Sequence, residues 1–96
     1  LHDFRFESVN PNPFNPMADV NYYLGEKAFI VLDIYNISGQ QITTLQNGIQ
    51  KVGFHQINWN AANIPSGLYF AALNVFNANN SGHQIDRKTT KLNLIK

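Results

Sequence analysis

The stretch Leu68-Tyr69-Phe70-Ala71-Ala72-Leu73-Asn74-Val75-Phe76 reads as two interleaved rows, with Tyr69, Ala71, Leu73 and Val75 on one side and Phe70, Ala72, Asn74 and Phe76 on the other. Successive side chains leave a pleated backbone on opposite faces, so this period of two predicts a β-strand. It is the natural central strand of the chain. Moving outward, residues 53–60 place His55, Ile57 and Trp59 on one side, and residues 28–37 set Ile30, Leu32 and Ile34 against Val31, Asp33 and Tyr35. Residues 18–24 put Val20, Tyr22 and Leu24 on one face, and residues 3–9 alternate Phe4 and Phe6 with charged neighbours. Residues 41–45 read as a shorter strand. Residues 84–96 close the chain with Leu92 and Leu94 inward and Lys91 and Asn93 outward.

Punctuation between these runs is dense in Gly, Pro, Asn and Ser, as turns require. Ser38-Gly39 supplies one tight turn and Asn47-Gly48 a second; residues 61–67 form a connection ending in Pro65-Ser66-Gly67, and residues 77–83 read as a polar loop. The run Pro11-Asn12-Pro13-Phe14-Asn15-Pro16 lacks three backbone donors within six residues, so it is not a central strand. Helical periodicity is nearly absent. About seven short antiparallel strands predict an all-β fold, an immunoglobulin-like sandwich of two packed sheets. The expected core is Val20, Tyr22, Leu24, Ile30, Leu32, Ile34, Ile42, Leu45, Ile57, Trp59, Tyr69, Ala71, Leu73, Leu92 and Leu94.

The 96 residues suffice for one domain, predicted to span residues 1–96. The chain starts at Leu1 without the basic and apolar regions of a signal peptide, and so reads as a domain cut from a longer chain whose export signal, if any, lies upstream. Seven basic and six acidic residues give a formal charge of +1, and no basic run is dense enough to track a phosphate backbone. Nucleic acid is thus a poor partner. Arg87, Lys88, Lys91 and Lys96 would be split between strand faces and the chain end, which reads as a solvated edge. No apolar stretch approaches the ~20 residues of a membrane span.

Catalysis finds no support in the residue pattern. A hydrolase needs a base within reach of a nucleophile or a pair of carboxylates, whereas the acids here are scattered and His2, His55 and His83 stand alone in sequence. His55 falls on the apolar face of its strand and reads as a hydrogen-bonded core or rim residue. Asp3, Asp19 and nearby Asn residues are oxygen donors without EF-hand spacing, and no metal or cofactor site is expected. Phe70, Phe76, Tyr23 and Tyr35 point outward, where they either form a platform for a polysaccharide or a protein, or pack against a preceding domain or under loops.

Three segments, Pro11-Asn12-Pro13-Phe14-Asn15-Pro16, Ile34-Tyr35-Asn36-Ile37-Ser38-Gly39 and Ile64-Pro65-Ser66-Gly67-Leu68-Tyr69-Phe70, together resemble the C-terminal sorting domains (type A) of type IX secretion substrates. They also resemble the related immunoglobulin-like domain of flagellar hook-capping proteins. The closing Lys91-Leu92-Asn93-Leu94-Ile95-Lys96 adds a fourth match. Met17-Ala18-Asp19 in place of a Thr/Ser-rich start, and a final hairpin lengthened over residues 77–84, depart from the pattern.

The resemblance implies a non-catalytic address, read by the outer-membrane type IX export machinery and then cleaved by a cell-surface sortase-like peptidase. The parent would reach the surface or the medium of a Gram-negative bacterium through the periplasm. Lys91, Leu92, Leu94, Ile95 and Lys96 would be the residues read, on an edge strand that a receptor could extend by strand addition. Pro11, Asn12, Pro13, Phe14, Asn15, Pro16, Gly39, Gly67 and Tyr69 read as structural: prolines fix a crossover, Phe14 pins it to the core, and Tyr69 buries its ring while its hydroxyl reaches backbone. An accessory carbohydrate- or protein-binding sandwich and a passive spacer remain the alternatives. Sorting would depend on the last residues, binding on outward aromatics such as Phe70 and Phe76, and a spacer on neither.

Overall fold

The computed structural model describes residues 3–96, at positions 80 and 81 by backbone alone. Its strands are β1 (Phe4–Asn10), β2 (Met17–Leu24), β3 (Ala28–Asn36), β4 (Gln41–Gln50), β5 (Gly53–Asn60), β6 (Gly67–Asn77) and β7 (Asn80–Leu94). They form two antiparallel sheets, one ordered β1-β2-β5 and the other β4-β3-β6-β7. β6 is internal, between β3 and β7, as its two apolar rows predict. Its inward row, Tyr69, Ala71, Leu73 and Val75, is buried between the sheets with Ile30, Leu32 and Ile34 of β3 and Leu92 and Leu94 of β7. Val20, Tyr22 and Leu24 of β2 and Trp59 of β5 meet them from the other sheet.

The inward set departs from expectation at Ile42, which is 36% exposed. β4 pairs Thr43 with Ile34 and Gln41 with Tyr35, so Ile42 is the extra residue of a bulge and loses its inward register. A second bulge leaves Leu45 without a partner on β3, and Leu45, like Ile57, packs half-buried against the core.

Two expected turns are also corrected. Asn47 and Gly48 pair with Val31 and Ile30 inside β4, because β3 offers partners along its whole length, and the chain turns instead at residues 51–52. The polar stretch at residues 77–83 is mostly strand: β6 and β7 continue into it around a turn at residues 78–79, where the Asn79 N–H donates to Asn77 Oδ1 at 2.8 Å. The Asn77 side chain bonds locally there, so a polar composition does not exclude pairing. At Ser38-Gly39 the turn forms as expected. Gly39 has φ +82°, and Asn36 Oδ1 accepts from the N–H groups of Ser38 and Gln40.

Candidate functional site

β7 is an edge strand, and the last residues of the chain lie at one end of the sandwich where three segments converge. Leu92 and Leu94 are fully buried, whereas Lys91, Asn93, Ile95 and Lys96 are exposed. The alternation follows from the period of the strand, and it takes Leu92 and Leu94 out of reach of any receptor for the folded domain.

The proline-rich segment after β1 is laid along the outer edge of this strand. The Phe14 N–H donates to the Asn93 carbonyl at 2.9 Å, the Ile95 N–H donates to the Phe14 carbonyl at 3.0 Å, and Phe14 and Leu94 thereby form a parallel bridge. Asn12 closes the next position: its Oδ1 accepts from the Asn93 N–H at 3.0 Å, and its Nδ2 donates to the Lys91 carbonyl at 3.3 Å. An Asn amide presents one acceptor and one donor site side by side and so stands in for a peptide unit of a neighbouring strand. All three Asn–Pro bonds of the segment are cis. From the Lys91 carbonyl to the Ile95 N–H the edge is therefore occupied, and the strand addition expected at the terminal residues finds these backbone groups already paired.

Phe14 anchors the segment. Its ring is 1% exposed and lies 5.3 Å from the Trp59 ring, which in turn meets Tyr69 edge-on at 5.9 Å. The Tyr69 hydroxyl donates to the Pro65 carbonyl at 2.7 Å, closing the corner that leads into β6, where Gly67 has φ +157°. Pro11, Asn12, Pro13 and Asn15 face solvent and Pro16 is half-buried; the Pro16 carbonyl accepts from the Ala61 N–H at 2.9 Å. The chain end is tied to the same corner: the Lys96 N–H donates to Ser66 Oγ at 3.0 Å and Lys96 Nζ to the Ala62 carbonyl at 2.7 Å. No single segment of the sequence signals this convergence.

On the outer face of the four-stranded sheet, Tyr35, Asn36, Ile37, Phe70, Arg87 and Thr89 border a groove of about 460 Å³. Asp33 is buried nearby, accepting from the Thr44 hydroxyl at 2.5 Å and Gln41 Nε2 at 3.3 Å. The outer face of the three-stranded sheet carries a different row, in which the Arg5 guanidinium sits 4.4 Å from the Tyr23 ring centre and Tyr23 lies 4.9 Å from Phe54. Phe76 packs edge-on against Phe29 rather than beside Phe70.

Among the described residues the titratable groups meet mainly as ion pairs, Arg5 bridging Asp3 and Glu7. Asp3 pairs with Arg5, Asp19 accepts from Asn58 Nδ2 at 3.1 Å, and Asp86 lies 3.8 Å from Lys88. His55 stacks on Tyr22 at 5.4 Å with Nε2 against the Lys51 carbonyl at 2.8 Å, while His2 lies outside the described residues. Among the described residues no three His, Cys, Asp or Glu side chains gather as a metal site would need. Among the described residues no helix is long and apolar enough to cross a membrane.

A family model for the secretion system C-terminal sorting domain matches residues 8–89. No curated protein matches the sequence. Among solved structures, dimeric latent PorU from Porphyromonas gingivalis aligns over 99% of this chain and 9% of its own, with a TM-score of 0.75 and 18% identity. CopC from Methylosinus trichosporium OB3b aligns over 96% of this chain and 93% of its own, with a TM-score of 0.56 and 10% identity. At these identities the two structures speak for the fold alone.

Proposed function

The chain belongs to the family of secretion system C-terminal sorting domains of the type IX pathway, and from that premise we propose that the exposed side chains of its closing residues are the address that is read. A domain of this family is a sorting signal that sends the protein carrying it to the cell surface or the medium. The domain itself carries out no chemistry; the outer-membrane export machinery recognises it and a cell-surface sortase-like peptidase removes it. Lys91, Ile95 and Lys96 are the residues contacted, and Leu92 and Leu94 act by holding the strand in the core.

The observation that supports this reading is the anchoring of the chain end. Asn12, Phe14 and Ser66 bond to the backbone of residues 91–96 and Ala62 to Lys96 Nζ, so the backbone that carries those side chains stands in one geometry before any receptor arrives. Recognition of a pre-ordered surface avoids the cost of ordering it on binding.

The test is a folded fluorescent reporter with an ordinary export signal, fused to residues 1–96 in a host with an intact type IX system. Ile95→Ala with Lys96→Ala touches no core residue, and an unchanged melting curve checks that the fold survives. Surface or medium localisation that these substitutions abolish is the expected result. A folded reporter that stays in the periplasm without them would overturn the reading and favour the accessory binding module.

A further inference from the structure

The outer edge of β7 is closed along only part of its length. Backbone groups of alternate residues point to opposite sides of a strand. Since Lys91, Asn93 and Ile95 bond outward to Asn12 and Phe14, Arg87 and Thr89 aim their backbone groups to that same outer side. The Arg87 N–H accordingly meets not β6 but the Asp86 carboxylate, at 2.7 Å. Between these covered ends, the Arg87 carbonyl, both backbone groups of Thr89 and the Lys91 N–H have no protein partner among the described residues.

The side chains along this opening carry information about what would fill it. Arg87, Thr89 and Lys91 form one row on the outer face, and neither Arg87 nor Lys91 makes an ion pair among the described residues. Beside the row lies the groove described above, with the small Thr89 and Ala72 on adjacent strands between Phe70 and Tyr35 on one side and Arg87 on the other. A second copy is a poor occupant: two-fold antiparallel pairing about Thr89 sets Arg87 of each chain opposite Lys91 of the other, and like charges directly opposite repel.

The other sheet edges are less suited. β1 and β4 are interrupted by bulges, which blunt an edge, whereas the irregularities of the β6–β7 pairing all lie before Asp86 and leave residues 87–91 regular; β5 is regular but carries no Lys, Arg, Asp or Glu to select a partner.

We propose that residues 87–91 of β7 form a strand-addition site for an extended partner segment with acidic side chains at positions i and i+4 and a large aromatic or apolar side chain at i+2. Its backbone pairs with Thr89 and reaches the Arg87 carbonyl and the Lys91 N–H. Its acids face Arg87 and Lys91, and its central side chain crosses Thr89 and Ala72 into the groove. That this segment belongs to the export machinery rests on the sorting reading, whereas the site itself rests on the geometry of the edge.

The test titrates a fluorescent peptide, Thr-Glu-Val-Phe-Val-Glu-Thr, with the 96-residue chain. Thr89→Pro removes an outward N–H and leaves the ladder to β6 whole, which edge strands tolerate. Saturable binding that weakens by about tenfold or more in Thr89→Pro is expected, as the loss of a backbone hydrogen bond and of strand contact implies. Arg87→Glu should weaken binding likewise and recover it when the facing peptide Glu becomes Lys. Melting curves check that both variants fold. Absence of binding, binding indifferent to Thr89→Pro, or equal binding of the peptide with both Glu residues replaced by Lys would overturn the site.

In the export assay, loss of surface localisation with a folded Thr89→Pro reporter supports the site as the docking edge. Normal export of that variant leaves the sorting reading intact and overturns this edge as its reader's contact. If the unsubstituted reporter is not exported, the sorting reading fails and the peptide titration alone decides.

Discussion

Tyr22 holds its ring inside the sandwich, 1% exposed, while its hydroxyl donates to Gln50 Oε1 across the space between the sheets. Burial disfavours the phenolate and pushes its pKa up to about 12, from an ordinary value near 10. The unfolded chain therefore gives up this proton first, and between pH 10 and 12 the folded state holds more protons than the unfolded one. Stability from this group is complete below pH 10 and is lost as pH rises toward 12. Urea unfolding midpoints measured across that window should fall more steeply for the native chain than for Tyr22→Phe. Residue-scale placement was largely legible: Tyr22, Trp59, Tyr69, Leu92 and Leu94 sit inward because period two left no other choice. Ile42 was not, because a bulge is decided by how two strands fit, and neither strand encodes it alone.

At the scale of the element, β7 is an edge strand with two characters. Asn93 and Ile95 donate their N–H groups to Asn12 and Phe14, whereas the outward N–H groups of Thr89 and Lys91 meet solvent. Amide hydrogen exchange should show protected Asn93 and Ile95 beside fast Thr89 and Lys91. Asn12→Ala removes one acceptor and one donor from an exposed position, at a cost of about 1 kcal/mol, and should speed exchange at Asn93 while leaving Leu92 and Leu94 slow. The proline-rich run was legible as something other than a central strand, and Phe14 as its pin. That it runs parallel to β7 and mimics a neighbouring strand was not, because its partner lies some eighty residues away, Asn12 bonding Asn93 across 81 positions. The turn expected at Asn47-Gly48 fails for a related reason. Local turn preference is worth about 1 kcal/mol, less than the run of β3 pairs that carries β4 straight through.

For the whole molecule, the chain end proposed as the address is also part of the core. Deleting residues 91–96 removes Leu92 and Leu94, and core truncations of this kind cost about 2–5 kcal/mol each against a total stability of about 5–15 kcal/mol for a domain. The deletion should abolish cooperative thermal unfolding, while Lys96→Ala, which loses one exposed contact to Ala62, should shift the midpoint by only a few degrees. Calorimetry shows which of the two variants keeps the fold, so that a loss of export in the export assay is assigned to recognition only for a variant that unfolds cooperatively. The alternation of apolar residues determined by itself that the chain is an all-β sandwich and which rows face inward, because strand period is a local property. The three-plus-four division of the sheets, the bulges of β4, the closing of the terminal edge by Asn12 and Phe14, and the open stretch at residues 87–91 were decided only in the tertiary structure. Each depends on which distant backbone groups meet, and hydrogen-bond partners far apart in sequence leave no mark on the residues between them.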